Sequence, residues 1–360
     1  MKRIVTSILS VLILVSISLP AWGSIGLGTR AMGMGGAFTA VADDESAFYW
    51  NPAGITQVRF ASLMFGAGFQ GEEFDFITDT IDNISDMEEL DPRVFEDGRG
   101  YLNLGLIGGV TTRYAGANFY SESSFSVKKD STASTQSLDV ELFSLNYGTL
   151  TLASKIKGNI SVGLNIKKLV AGIGGSDVDL NFTDLVNPAN KQVSETYYAK
   201  GDGMAFDLGV LYRLSDQVKF GFIARNVAGK IDWETGEKVN FIKDETEDYY
   251  PDEDLPKEYS VGVSYRPFKN TLLAFDVQKC DYRPPFTPEQ TRFRIGFEQT
   301  ALWNIIALRL GAFTNKSEPL AVTAGLGFKL GPLAIGVAGI KEEFNGKEAI
   351  EALVTAGIRF

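Results

Sequence analysis

The sequence predicts an all-β protein: a 14-stranded antiparallel transmembrane β-barrel with its N-terminal segment folded inside the lumen. Three observations predict it. Apolar and polar positions alternate along segments longer than the ~5–6 residues usual in soluble sheets, a length suited to tilted membrane strands. The connections between those segments are short and long in turn, as barrel turns and barrel loops are. Finally, nothing after Leu19 stays apolar for the ~18–20 residues of a helical span, so strands are the only means of crossing a membrane.

Composition narrows the chemistry. Among 360 residues there is no His, which removes Ser-His-Asp triads, His-ligated zinc and the commonest general base. The single cysteine, Cys280, leaves no disulfide within the chain and no Cys-built zinc or cluster site. A formal charge of −11 argues against a nucleic-acid partner. No metal or cofactor motif is present, and the expectation is that the protein is not an enzyme.

Residues 1–23 read as an address. Met1-Lys2-Arg3 is basic, Ile4 to Leu19 is apolar, and Ala21 and Gly23 set small residues before a cut after Gly23. That is the pattern of a cleaved signal peptide. Residues 24–57 fit no strand. They are rich in glycine (Gly26, Gly28, Gly33, Gly35, Gly36), then carry Asp43-Asp44-Glu45 and the run from Phe48 to Gly54. The glycines do not make a phosphate loop, because no strand precedes them and no βαβ unit follows. Asp43 or Asp44 suits the cap of a short helical turn, and Pro52 forces Asn51 out of the α region. A compact segment at the mouth of a barrel has one economical place to go, inside it.

Residues 58–360 form the barrel. The strands are expected at about 59–70, 101–111, 113–127, 138–153, 159–171, 202–213, 218–228, 257–266, 271–282, 290–300, 304–314, 319–329, 332–342 and 348–360. Met204, Phe206, Leu208, Val210 and Tyr212 share one face, opposite Gly203, Ala205, Asp207, Gly209 and Arg213. Phe293, Ile295 and Phe297 oppose Arg292, Arg294, Gly296 and Glu298 in the same way. Turn residues such as Lys157-Gly158-Asn159 and Gly331-Pro332 close the even-numbered strands, placing those ends at the periplasm. Strands three and four are the weakest, because Tyr114 to Ser124 and Leu138 to Phe143 break the alternation. Trp303, Tyr147, Tyr212, Tyr265 and Phe328 suit an aromatic girdle. The last strand ends on Phe360, which resembles the signal read by the outer-membrane assembly machinery.

The run from Gly26 to Ala37, with Ala42-Asp43-Asp44 and Asn51-Pro52-Ala53, resembles the N-terminal hatch of the FadL family of long-chain fatty acid outer-membrane transporters. The strand count is also that family's. PorV-like secretion-system barrels carry a similar hatch motif. The resemblance implies an outer-membrane channel for a hydrophobic small molecule, with long-chain fatty acid the default. It implies a hatch, held through Asp43, Asp44, Asn51, Pro52 and Ala53, that shifts to pass the ligand. It also implies lateral exit through a kink in the third strand, where Gly116 and Asn118 fall. The alternative is a non-transporting barrel that anchors or shuttles proteins in a secretion or envelope complex. A general diffusion porin is disfavoured, since the N-terminal segment leaves little water path in a lumen of this size.

A carboxylate ligand needs a lumen cation, for which Arg225, Arg294 and Lys329 are the candidates. The competing reading pairs such cations with acids of the lumen or the hatch. The stretches Gly71–Gly100 and Gly229–Pro256 hold 11 and 10 Asp/Glu. They read either as a solvated loop face or as cation-bridged contacts to lipopolysaccharide phosphates, although no twelve-residue calcium loop is present. The expected partners are thus a hydrophobic ligand, outer-membrane lipid with lipopolysaccharide, and the assembly machinery; no cofactor is expected.

Overall fold

The computed structural model describes residues 28–72, 98–131, 135–181, 192–234, 236–240, 245–249, 254–281, 290–315, 320–344 and 347–360. The expected signal peptide lies outside the described residues, as does most of the first acidic stretch. Seventeen strand segments follow three short helical turns. They are β1 (Ala61–Glu72), β2 (Gly98–Thr112), β3 (Ala115–Ser131), β4 (Thr135–Lys157), β5 (Ile160–Asn181), β6 (Gln192–Arg213), β7 (Val218–Arg225), β8 (Lys230–Trp233) and β9 (Gly236–Asn240). Then come β10 (Glu245–Tyr249), β11 (Glu258–Phe268), β12 (Thr271–Cys280), β13 (Gln290–Ala301), β14 (Ile306–Asn315), β15 (Ala321–Leu330), β16 (Leu333–Phe344) and β17 (Lys347–Arg359).

Each strand pairs antiparallel with its neighbours, and β1 pairs with both β2 and β17, so the sheet closes on itself. Because β7, β8 and β9 all run along β6, they form one wall strand; β10 and β11 form the next. The wall is therefore a closed antiparallel barrel of 14 strands. Closure removes every sheet edge, the condition for strands in hydrocarbon.

The faces are sorted opposite to those of a soluble sheet. On β6 and β13, Met204, Leu208, Val210, Phe293 and Ile295 are exposed, while Ala205, Asp207, Arg294 and Glu298 are buried. Large apolar side chains turned outward and ionic ones turned inward need lipid outside. Tyr212, Tyr265, Phe328 and Trp303 lie on that outer face, Trp303 92% exposed at the turn between β13 and β14. Tyr147 does not belong to the girdle. It is buried and stacks on Tyr120 with ring centroids 4.3 Å apart, because the odd-numbered residues of β4 point into the lumen here.

Two expectations about the wall meet the structure here. First, β3 pairs residue by residue with β2 and β4 and shows no register shift, so the ladder is continuous at Gly116 and Asn118, where lateral exit is expected. The broken alternation there reflects small and polar inward residues, which leave the backbone ladder untouched. Second, the stretch after strand five is mostly strand, since β4, β5 and β6 run to 23, 22 and 22 residues. A tilted span needs only ~9–11. The remainder stands clear of the membrane, where lipid no longer imposes an apolar face and the sequence signal for a strand fades. For the same reason much of the second acidic stretch is β8, β9 and β10.

One break in the ladder is real. After Arg225 the seventh wall strand leaves β6, and pairing resumes at Lys230 opposite Met204. Asn226 sits there at φ 53°, a conformation Asn tolerates better than most residues. Its N–H donates to Asp207 Oδ1 at 3.0 Å and its Nδ2 to Pro256 O at 2.9 Å. These side chains, with one backbone bond from Val227 N to Phe206 O at 3.0 Å, close the wall where the ladder is interrupted.

Candidate functional site

The segment from Gly28 to Val58 is built of turns too short to satisfy their own backbone. Helix α1 (Thr29–Gly33) ends where Gly35 and Gly36 adopt φ 65° and 71°, which side-chain-bearing residues rarely take. Helix α2 (Ala47–Trp50) follows Asp44, whose Oδ1 accepts from Ser46 N at 3.0 Å and Ser46 Oγ at 2.6 Å. Asn51 is extended, as the following proline requires, and caps the 3₁₀ turn Pro52–Gln57 by accepting from Ala53 N at 3.2 Å.

The unsatisfied groups are met from around the wall. Phe38 N and Thr39 N donate to Asp276 Oδ2 on β12 at 2.9 and 2.8 Å. Gly35 N donates to Thr323 Oγ1 on β15, which in turn donates to Gly33 O. Asn165 Nδ2 on β5 donates to Phe48 O at 2.7 Å. Asn51 Nδ2 donates to Thr39 O at 2.9 Å and to Val210 O of β6 at 3.0 Å. Partners on β5, β6, β12 and β15 mean that the segment crosses the lumen.

Glycines make that crossing possible at contact distance. A Cβ on Gly163 of β5 would lie 2.3 Å from Ala53 N and Pro52 C. On Gly209 of β6 it would lie 2.2 Å from Asn51 Oδ1, and on Gly221 of β7 2.2 Å from Thr39 O. On Gly311 of β14 and Gly336 of β16 it would fall 2.1 Å from Gly35 N and 2.2 Å from Thr29 Oγ1. From β5 round to β17 the segment rests on wall backbone. By contrast, Gly66, Gly108, Gly109 and Gly116 on β1 to β3 meet only wall atoms. On that side the contact is between side chains: Phe48 and Tyr49 with Met64, Ile107, Tyr120, Leu145 and Tyr147.

Charges split into two groups. At the end carrying the short turns, Arg30 bonds Glu298 at 2.7 and 2.8 Å and also pairs with Asp43, while Arg309 bonds Glu298 at 2.8 Å. Arg359 bonds Glu45 at 2.7 and 3.0 Å. Burial alone would raise the Asp43 carboxyl, but Arg30, Lys219 and Arg266 outweigh it and hold the group well below its ordinary value. Burial likewise disfavours the Arg30 cation, and Asp43 and Glu298 more than reverse that. These groups border a cavity of about 300 Å³, and Lys329, exposed, lines it too.

The second group lies on the other side of the segment. Arg225 sits 4.5 Å from the Tyr49 ring centroid, donates to Tyr49 O at 3.0 and 3.1 Å, and pairs with Glu258. Arg294 is 5.6 Å from the Trp50 centroid, and Arg292 is 5.9 Å from that of Phe313. All three arginines line a pocket of about 40 Å³ with Tyr49 and Trp50. Arg294 donates only a long bond to Gly36 O, at 3.3 Å, and the Nε atoms of Arg292 and Arg294 have no partner among the described residues. Of the three head-group candidates, the fold therefore joins Arg225 and Arg294 and sets Lys329 apart. Asn51, Pro52 and Ala53 are buried against β5 and β6, Asp43 and Asp44 face the cavity around Arg30, and Gly116 and Asn118 lie in an unbroken β3. Sequence reasoning counted Asp276 among the lumen acids expected to pair with cations and did not single out Thr323 and Asn165; all three serve the segment's backbone. Their only signal was a polar residue on a lumen face.

Fold and interior together define a transmembrane β-barrel whose lumen is crossed by its own N-terminal segment. No family model matches the sequence, and no curated protein does. Among solved structures, the toluene transporter TbuX of Ralstonia pickettii is similar, with a TM-score of 0.64 at 11% identity over 94% of this chain and all of that one. The toluene transporter TodX of Pseudomonas putida gives 0.60 at 11% identity, over 95% and 100%. A FadL homologue of Pseudomonas aeruginosa gives 0.54 at 10% identity, over 95% and 100%. These neighbours are FadL-type outer-membrane transporters, and the likeness is one of fold.

Proposed function

We propose that this protein is an outer-membrane channel, not an enzyme, for hydrophobic small molecules that carry an acidic group, with a long-chain fatty acid the default. Residues 1–23 direct export and are removed. Residues 24–57 form a hatch, anchored through Asn51, Pro52 and Ala53 on one side and Asp43 and Asp44 on the other. The neighbours' names supply toluene as one hydrophobic cargo, and the fatty acid comes from the resemblance of residues 26–53 to the FadL family.

The observation that carries the acidic head group is the Arg292–Arg294 pair. The half-buried Arg292 and the buried Arg294 lie beside aromatic rings with no carboxylate in salt-bridge contact among the described residues, although Glu342 and Glu351 line the same pocket, whereas Arg309 and Arg359 are each paired to one. A neutral hydrocarbon gains nothing from them. A carboxylate would accept the unused N–H groups, a gain of about 1.5–3 kcal/mol per charged hydrogen bond.

Binding of oleate and of toluene to the purified barrel tests this. Arg292→Gln with Arg294→Gln should weaken oleate binding about tenfold or more and leave toluene unchanged. Unaltered oleate affinity in the double variant refutes the head-group site. Failure of the wild type to bind either molecule refutes the channel.

A further inference from the structure

We propose that cargo passes the hatch along one edge of it, between α2 and strands β1–β4, by rotation of the Tyr120 and Tyr147 side chains, while the hatch itself stays seated. This rests on the channel reading above. The two sides of the hatch differ in what would have to move. From β5 to β17 it touches wall backbone across glycines, and at Gly163, Gly221, Gly296 and Gly311 the contact is backbone on backbone, which no rotamer change can widen. Opening there means lifting the segment off Asp276, Thr323 and Asn165 and leaving buried N–H and C=O groups without partners.

Along β1–β3 the glycines do not meet the segment, although its 3₁₀ turn packs against β4 as it does against β5 and Arg113 Nε donates to Val58 O at 3.1 Å. Tyr49 meets Tyr120 edge to face, 5.3 Å between centroids, and Tyr120 stacks on Tyr147 at 4.3 Å. Met64, Ile107 and Leu145 complete an apolar seam. Ring contacts of this kind give way by rotation about χ1; Met64, Ile107 and Leu145 offer a hydrocarbon chain apolar surface there, while Glu122, whose charge acts on all three tyrosines, and Lys167, 5.1 Å from the Tyr147 centroid, stand beside it. The seam also leads somewhere. Arg225 and Arg294 flank Tyr49 and Trp50 on one side of it. Two residues further along β3 and β4, toward the short turns, Asn118 Nδ2 and Thr149 Oγ1 are buried without a hydrogen-bond partner. An acidic group leaving the arginines finds donors there on the same strip of wall.

Two tethers decide the matter. Thr29 Oγ1 lies 2.6 Å from Thr355 Oγ1, and Thr56 Oγ1 lies 2.9 Å from Ser161 Oγ, close enough for disulfides at both ends of the segment. In a Cys280→Ala background, T29C/T355C and T56C/S161C are combined, and uptake of radiolabelled oleate by cells is followed before and after oxidation. Uptake within about twofold of the reduced protein is expected. A fall of tenfold or more, reversed by dithiothreitol, means that the hatch must move and overturns the proposal. Tyr120→Trp, which fills the seam, should slow uptake at least tenfold while Tyr120→Phe does not; an unslowed Trp variant also overturns it. Absence of oleate uptake by the untethered wild type is a different result, and counts against the channel itself.

Discussion

Replacing Gly163 by alanine tests the seat of the hatch most directly. The added Cβ would stand 2.3 Å from two backbone atoms, Ala53 N and Pro52 C, and 2.7 Å from Pro52 O. Carbon contacts are comfortable near ~3.5–4.0 Å, so the overlap exceeds an ångström, and no side chain can rotate to relieve it. Either β5 bends or residues 51–54 lift. The second course forfeits the bond from Asn51 to Val210 O and the one between Thr56 and Ser161. Overpacking costs about 1–3 kcal/mol and each lost buried hydrogen bond about 1 kcal/mol more, so a total of about 3 kcal/mol is a fair expectation. That is roughly a hundredfold in the equilibrium between seated and lifted segment. Hydrogen exchange read by mass spectrometry on the detergent-extracted barrel measures it. Protection of the 51–57 amides should fall by about two orders of magnitude while the amides of β5 keep theirs. Gly148→Ala, on the outer face of β4 with nothing within 4 Å of the new atom, is the control and should change neither. Full protection in the Gly163 variant would refute the reasoning, as would an equal loss in the control.

Further predictions concern the charged and polar anchors. Lys167 and Asp207 pair at 2.7 Å with side chains 2% and 3% exposed, so Lys167→Met strands a buried carboxylate and should cost about 3–5 kcal/mol, read as a lower unfolding temperature. Asn51→Ala with Pro52→Ala removes the two bonds from Nδ2 and the cap on Ala53; the hatch should loosen by about 1–3 kcal/mol with the barrel still assembling, visible as faster exchange at 38–57 and an unchanged heat-modifiable gel shift. Asp43 is held below its ordinary value in the folded state, so its contribution is complete above pH ~4 and disappears as pH falls further, through the folded value. Exchange in residues 28–50 should therefore accelerate below pH ~4 in the wild type and not in Asp43→Asn.

What the sequence made legible followed from period two. Wherever a strand crosses lipid, as β12 and β13 do, an apolar residue must face outward at every second position, and those strands could be bounded to within a few residues. Where the same strands rise above the membrane, as at Gly172–Asn181, nothing external dictates a face and the ladder continues unseen. The lumen segment was legible as a stretch without strand pattern. Its seat was not. Gly163, Gly209 and Gly311 were visible on the inner faces, but a glycine opposite a backbone looks, in one sequence, like a glycine opposite water. Arg225 and Arg294 were legible only as cations on lumen faces, and nothing in the sequence set Arg292 beside them. Lys329 shares their strand parity and charge, and only three-dimensional placement shows that the hatch divides it from them.

The lumen's many ionic residues become intelligible once the hatch is treated as a chain that cannot satisfy itself. Helices of five and four residues leave several of their N–H and C=O groups without a partner inside the segment. In a lumen closed to bulk water those groups need partners. Asp276 takes two N–H groups, Asn165 and Arg225 each cover a carbonyl, and Thr323 serves one of each. Glu298 and Arg359 hold the charged end. Subtracting every inward ionic group so engaged isolates the Arg292–Arg294 pair, with its two unpartnered Nε atoms, on the far side of the hatch from the 300 Å³ cavity. The two cations repel one another beside their rings; Asp276, directly across the ladder from Arg294, and Glu342 and Glu351, which line the same pocket, offset part of that repulsion, and an anion would offset more. The same subtraction makes Arg294→Gln alone informative: with no anion present it removes a repulsion, so the unliganded barrel should melt no lower than the wild type. A clear drop in its unfolding temperature would mean that Arg294 is one more support for the hatch and that the head group must be sought elsewhere.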